Sequence, residues 1–166
     1  MATEIERKFL VRVGLWQPPP VGEQMRQGYL CATPDRGVRV RIADDKAFLT
    51  IKANRNERSR FEFEYPIPLA DAAEMLDQLC ERPLIEKVRY AQMVGRHEWT
   101  VDVFSGDNDG LIVAEVELER EDEVVDPPPW AGLEVTRLPR YLNANLIRYP
   151  YRLWTPEERQ GADGQP

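Results

Sequence analysis

The chain has 166 residues, of which 42% are hydrophobic and 31% charged, with a net charge of −7. That composition supports one domain with a core and leaves more charge than a plain domain requires. The acidic balance argues against a nucleic-acid coat. No apolar run is long enough to span a membrane, and the single histidine, His97, makes a His-based metal site or a Ser-His triad a poor expectation.

The N-terminus lacks a basic-then-apolar leader, so a cytoplasmic location is expected. Cys31 and Cys80 have no metal-type spacing and are expected as free thiols. Residues 3–13 read as a first strand, with Glu4, Glu6 and Lys8 on one face and Ile5, Arg7 and Phe9 on the other. A loop through Pro18, Pro19 and Pro20 precedes a second strand over 24–32, where Gln27 and Tyr29 share a parity. Strands over 38–43 and 47–53 flank the turn Asp44-Asp45. The first alternates Arg39 and Arg41 against Val38, Val40 and Ile42; the second sets Lys52 and Thr50 against Leu49 and Ile51. Residues 58–66 place Glu62 and Glu64 opposite Phe61, Phe63 and Tyr65.

Residues 69–80 carry apolar side chains at helical spacing and are followed by Pro83, a stop signal. Three more strands follow. Residues 84–94 oppose Lys87 and Arg89 to Val88 and Tyr90; 97–104 oppose Glu98, Thr100 and Asp102 to Trp99, Val101 and Val103; 111–121 oppose Glu115 and Glu117 to Ala114, Val116 and Leu118. An acidic, proline-rich connector over 121–129 leads to a short helix over 140–148 and a frayed, disordered tail over 155–166. The expected organisation is about eight strands with helices inserted, as one domain over 1–154.

A half-exposed antiparallel sheet in water would give the same alternation. Here, however, the polar faces are dominated by Glu, Arg and Lys at i, i+2 positions, and they segregate by sign along the chain. If the sheet closes, these faces point inward and the helices cover the apolar outside. Such an interior is costly when dry and is stabilised by a polyanion with metal ions. Carboxylates suit Mg²⁺ or Mn²⁺, while Arg and Lys suit phosphate oxygens. From spacing alone, the enclosed site and the solvated face both stay open.

The opening Glu4-Ile5-Glu6-Arg7-Lys8-Phe9-Leu10-Val11 resembles the ExExK signature of the CYTH domain, or triphosphate tunnel metalloenzyme, family. The similarity continues in order through Gln27-Gly28-Tyr29-Leu30, Arg39-Val40-Arg41, Thr50-Ile51-Lys52, Phe61-Glu62-Phe63-Glu64 and Lys87-Val88-Arg89. It then runs through Val101-Asp102-Val103-Phe104, Ala114-Glu115-Val116-Glu117-Leu118, Glu134-Val135-Thr136 and the segment from Arg140 to Leu146, so it covers about residues 3–150. ExExK alone is weak; the ordered set is specific. The short bacterial members it most resembles are inorganic triphosphatases.

This resemblance implies a mainly β fold, a closed eight-stranded antiparallel barrel whose hydrophilic tunnel binds a triphosphate with a divalent metal, Mg²⁺ or Mn²⁺. Carried over by position, Glu4 and Glu6 are metal ligands, joined by Glu115 or Glu117. Lys8, Arg39, Arg41, Lys52, Lys87 and Arg89 hold phosphates, and Glu62 and Glu64 support the metal or order the basic residues. Tyr29 is a candidate for proton transfer, and Lys87 for protonating or neutralising the leaving phosphate. Leu133 departs from the lysine often found before Glu-Val-Thr, and Arg137-Leu138 replaces a more usual turn. The partner expected is a small-molecule triphosphate, with no nucleic acid and no membrane; a homodimer through an apolar outer face is compatible. Two alternatives stay open beside the hydrolase: an adenylate cyclase of the same superfamily, and a non-catalytic polyphosphate-binding module.

Overall fold

The structure, a computed structural model, describes residues 5–33, 35–56, 59–120 and 122–162. Glu4, an expected metal ligand, lies outside the described residues. The strands are β1 (Ile5–Val11), β2 (Glu23–Ala32), β3 (Arg36–Ala43), β4 (Lys46–Asn56), β5 (Ser59–Pro66), β6 (Ile85–Val94), β7 (His97–Ser105), β8 (Ile112–Leu118) and β9 (Ala131–Glu134). They form one nine-stranded sheet in the order β5-β4-β3-β2-β6-β7-β8-β1-β9. Every neighbouring pair is antiparallel.

The mainly β, antiparallel expectation holds, but among the described residues the sheet is not closed by hydrogen bonds. β5 and β9 are its two edges. The reason lies at β1. A ring of eight strands would need β5 to pair with the free edge of β1, and β9 occupies that edge, with Phe9 opposite Glu134 and Val11 opposite Ala131. Four-residue β9 falls where no strand was expected.

Strand alternation sorts the residues onto two faces. On the outer face, α1 (Leu69–Gln78) buries Ala72 and Leu76 against Val40, Ala47 and Cys80. The helix ends just short of the expected span, with Leu79 capping it. Gly28 lies beneath its C-terminal end, where a Cβ would sit 2.7 Å from the Cys80 Cβ and 2.8 Å from Leu84 Cδ2. A second outer core joins Phe9, Trp99, Val101, Ala114 and Val116 to Trp16, Val125 and Trp130 from the loops. Cys31 and Cys80 are free thiols.

The opposite face carries the charges, and it is concave. The phenol of Tyr29 feels the charge of Lys8, although β6, β7 and β8 separate β2 from β1 in the sheet. Laid flat, those two strands would stand about 19 Å apart. Leu10 of β1 and Tyr29 of β2 also pack against one shared cluster. The sheet therefore curls into a trough with its ionic face inside.

One end of the trough is apolar and filled. Ile85, Phe104 and Val113 meet Val135, Tyr141, Leu146, Ile147 and Trp154 of the C-terminal segment there. The expected helix over 140–148 is a 3₁₀ turn over Pro139–Tyr141 followed by α2 (Asn143–Leu146). Within the stretch 155–166, expected as a frayed tail, Pro156–Arg159 form α3, capped by a reciprocal box between Thr155 and Glu158, and residues 163–166 lie outside the described residues. At its end Gly161, with φ +87°, would place a Cβ 2.5 Å from Leu133 Cδ2. Leu133 thus seats this last turn on the sheet. Among the described residues, no helix is long and apolar enough to cross a membrane.

Candidate active site

Register explains how separate i, i+2 pairs become one site. Lys8 lies opposite Glu115 and Glu6 opposite Glu117 on β1 and β8. Tyr29 lies opposite Arg39 and Gln27 opposite Arg41 on β2 and β3. Thr50 meets Glu64 and Lys52 meets Glu62 on β4 and β5. Arg89 meets Asp102 on β6 and β7. The structure therefore brings the described members of the expected set onto one concave surface.

The centre of the floor is a triad of two buried residues, Lys87 and Asp102, and half-buried Arg89. Asp102 and Lys87 are nearly inaccessible, each side chain 2% exposed. Lys87 Nζ donates to Asp102 Oδ2 at 2.6 Å, and Arg89 clasps the same carboxylate with two donors at 2.7 Å each. Burial would push the Asp102 carboxyl up, but Lys87 and Arg89 outweigh it and hold it down at about 2. Lys87 moves the other way. It is wholly buried, shares its one carboxylate with Arg89, and is pulled below the ordinary lysine range.

Towards β1, Lys8 Nζ lies 3.0 Å from Glu6 Oε1 and 3.0 Å from Glu115 Oε1. Burial lowers the affinity of Lys8 for its proton, yet Glu115 and Glu6 together hold it above the usual range. Arg89 reaches Glu115 at 3.4 Å and so links the two groups. The Lys8 backbone is fixed from outside. Its N–H donates to Thr136 Oγ1 at 3.0 Å, and its carbonyl accepts from Val135 N at 2.8 Å. Glu134 anchors that strap by accepting from Arg7 at 3.0 and 2.7 Å and from Thr136 Oγ1 at 2.7 Å.

Towards the open edge, Arg39 and Arg41 both lean on Glu64, at 3.4 and 3.3 Å. Thr50, fully buried, donates to Glu64 at 2.7 Å and accepts from Arg39 at 3.1 Å. Burial would raise the Glu64 carboxyl, but the Thr50 hydroxyl and the Arg41 and Arg39 charges bring it below its usual value. Arg41 is lowered, by burial first and then by Arg39 beside it. Lys52 pairs with Glu62 at 3.2 Å, nearer solvent. Burial raises the Tyr29 phenol against the opposing pull of Arg39 and Lys8, so at neutral pH it carries its proton.

Three residues of this surface were given no role from sequence: Asp102, Thr50 and Gln27. Asp102 shares a strand face with Glu98 and Thr100, and nothing in that local pattern sets it apart; its importance comes from a register that aims two cations at it. Among the described residues, no three His, Cys, Asp or Glu side chains are gathered closely enough to hold a metal by themselves. Glu6 and Glu115 nevertheless converge on a single cationic centre at Lys8 Nζ, with Glu117 facing Glu6 across the strands. An open depression of about 360 Å³ on the convex side is lined by Arg26, Arg82, Leu84, Glu86 and Asp107. Its arginines are already engaged, Arg26 with Asp77 and Glu86 and Arg82 with the Asp77 carbonyl.

Residues 2–151 match the CYTH domain. The chain is 46% identical over 152 residues to an inorganic triphosphatase of Acetivibrio thermocellus, which covers 92% of this chain and 97% of that protein. It is 38% identical over 153 residues to an inorganic triphosphatase of Nitrosomonas europaea, covering 87% and 96%. The crystal structure of the inorganic triphosphatase NE1496 superposes with a TM-score of 0.68 at 35% identity, over 94% of this chain and 98% of that one. A putative adenylate cyclase from Bacillus halodurans, 15% identical with a TM-score of 0.56, shares the fold alone. With its match running almost from end to end, the chain belongs to the CYTH domain family.

Proposed function

We propose that the trough hydrolyses a triphosphate, inorganic tripolyphosphate foremost, with release of phosphate. The observation that carries this reading is the gathering of Lys8, Arg39, Arg41, Lys52, Lys87 and Arg89 on one concave face, interleaved with carboxylates. A linear triphosphate offers only acceptor oxygens, which ammonium and guanidinium donors match. The carboxylates weigh against a non-catalytic polyphosphate-binding module, because anion binding alone gains nothing from them.

Those carboxylates fit a hard divalent cation, Mg²⁺ or Mn²⁺. Glu6 and Glu115 would hold it, with Glu117 beside them and Glu4 as the further ligand expected from sequence. Two protein carboxylates completed by substrate phosphates are an ordinary Mg²⁺ environment. When bound, such an ion supplies Lewis-acid neutralisation of phosphoryl oxygens.

The chain's own residues supply the rest. Arg39, Arg41 and Lys52 bind and align the polyphosphate, and Glu62 and Glu64 hold those cations in place. Lys87 and Arg89 face the charge that grows on the departing phosphate, and a loosened Lys87 Nζ proton suits transfer to it. Tyr29 keeps its proton and acts as a hydrogen-bond donor or acid. Full enclosure of the substrate, the tunnel expected from sequence, is part of this reading. A cytoplasmic location belongs to the same proposal. So does a homodimer, for which the exposed Ile51, Phe63 and Tyr65 on the outer face of β4 and β5 offer an apolar surface.

The test is a product assay with tripolyphosphate, ATP and thiamine triphosphate in Mg²⁺ or Mn²⁺. Phosphate release from tripolyphosphate supports the proposal. Cyclic AMP from ATP would replace it with the cyclase reading, and binding without turnover with the binding-module reading.

A further inference from the structure

Among the described residues, a few buried side-chain nitrogens have no hydrogen-bond partner, and three of them are neighbours: Gln27 Nε2, Arg39 Nε and Arg41 Nε. Gln27 stands directly opposite Arg41 in the β2–β3 register, and Arg39 follows two residues before Arg41 on the same face. Gln27 is only 2% exposed. Its other strand neighbour, Ile85, has no polar side chain to offer it. The remaining orphans do not form such a group. Trp16 and Trp99 lie in the outer core, and Asn108 and Arg140 belong to elements packed around the C-terminal segment.

A buried donor without an acceptor is costly, and native proteins rarely keep one without a use. Three adjacent ones, all donors, define what is missing: a group with several acceptor oxygens and no donors. A carboxylate from the chain could fill that role, but Glu64 engages Arg39 and Arg41 through their Nη2 atoms and leaves both Nε atoms unpaired. A cation could not fill it at all. A fully ionised phosphoryl group does.

We propose that Gln27 is a phosphate-binding residue, whose amide N–H groups and the Nε–H groups of Arg39 and Arg41 form a floor subsite for one phosphoryl group. This rests on the triphosphate reading above and adds a neutral donor to it. A neutral amide contributes direction without adding to the repulsion between Arg39 and Arg41. It therefore allows three donors to converge on one group where three cations would drive one another apart.

The test uses Gln27→Leu and Gln27→Glu in the full chain, with tripolyphosphate binding followed by calorimetry without metal and hydrolysis followed with Mg²⁺. Gln27→Leu removes the orphan donor, so the ligand-free protein should melt at the wild-type temperature or above it. Its affinity and KM for tripolyphosphate should worsen about 10- to 100-fold, the usual effect of losing a hydrogen bond to a charged group. Gln27→Glu places a negative charge in the subsite and should weaken binding further. Wild-type affinity in both variants overturns the proposal. So does retained binding in Gln27→Glu with loss in Gln27→Leu, because Gln27 would then be a strut that accepts from Arg41. If the wild type binds tripolyphosphate but does not hydrolyse it, the hydrolase reading fails while the calorimetric comparison still decides the role of Gln27. No binding by the wild type overturns both.

Discussion

Asp102 is the residue through which Lys87 and Arg89 are held on the floor of the trough. Removing it as Asp102→Ala would leave Lys87 buried without its counter-charge and, among the described residues, leave Arg89 ion-paired with Glu115 alone. Breaking a buried pair in this way typically costs about 3–5 kcal/mol, and chemical denaturation should show a loss of that size. The acid limb follows from the same carboxylate. Its folded pKa of about 2 lies below the unfolded carboxylate value near 3.9, so the stability it contributes is present above pH ~4 and is lost as pH falls towards 2. A pH titration of the melting temperature should show that loss in the wild type and a shallower one in Asp102→Ala. Lys87 governs the other side of the profile. Its ammonium is pulled below the ordinary lysine range, so kcat should begin to fall on the alkaline side before a free lysine would titrate. Lys87→Arg keeps the charge but holds its proton too tightly to give it up. It should lower kcat by about 10²–10⁴-fold and move the alkaline limb upward, as a rate profile from pH 6 to 11 would show.

At the scale of single elements, α1 and β2 are coupled through Gly28. A methyl group there would collide with the Cys80 Cβ and Leu84, which the helix end and its following turn fix in place. Gly28→Ala should cost about 1–3 kcal/mol by overpacking. Because Gly28 lies between Gln27 and Tyr29, the same substitution should also raise KM, while a similar Gly14→Ala change, in open space, should do neither. Strand faces were legible in the sequence because a period of two carries through each strand regardless of what lies beside it. Arg39 with Arg41, Lys87 with Arg89 and Glu115 with Glu117 could therefore be paired by eye. Partners across strands could not. Nothing local to Asp102 announces that Lys87 and Arg89 will point at it, and nothing within Ala131–Glu134 marks a strand, since its pairing is decided by the free edge of β1. The helical turn Pro156–Arg159 was not legible for a similar reason: Thr155 and Glu158 make a cap that a polar composition conceals.

Over the whole molecule, the resemblance gave a mainly antiparallel β fold with few helices, and the register supplied its shape. Alternation could say that one face was ionic; it could not say whether the ends of the sheet meet. That outcome depends on β9 taking the edge that β5 would need, a competition between segments some 70 residues apart. The result is a curled sheet, open along one side, whose polar interior stays charged from β5 to β1.

The packing of Tyr141, Leu146 and Trp154 against Phe104 and Val113 gives this trough a back wall. A ligand lying along the trough therefore has one of its ends against that wall. A linear polyphosphate can insert one terminus and be shortened from it, whereas cyclic trimetaphosphate has no terminus to present. The ring should resist hydrolysis under conditions that consume tripolyphosphate, and ³¹P NMR of a mixture should show the linear signals vanish while the ring signal persists. Cleavage of both at similar rates would mean that the back wall yields.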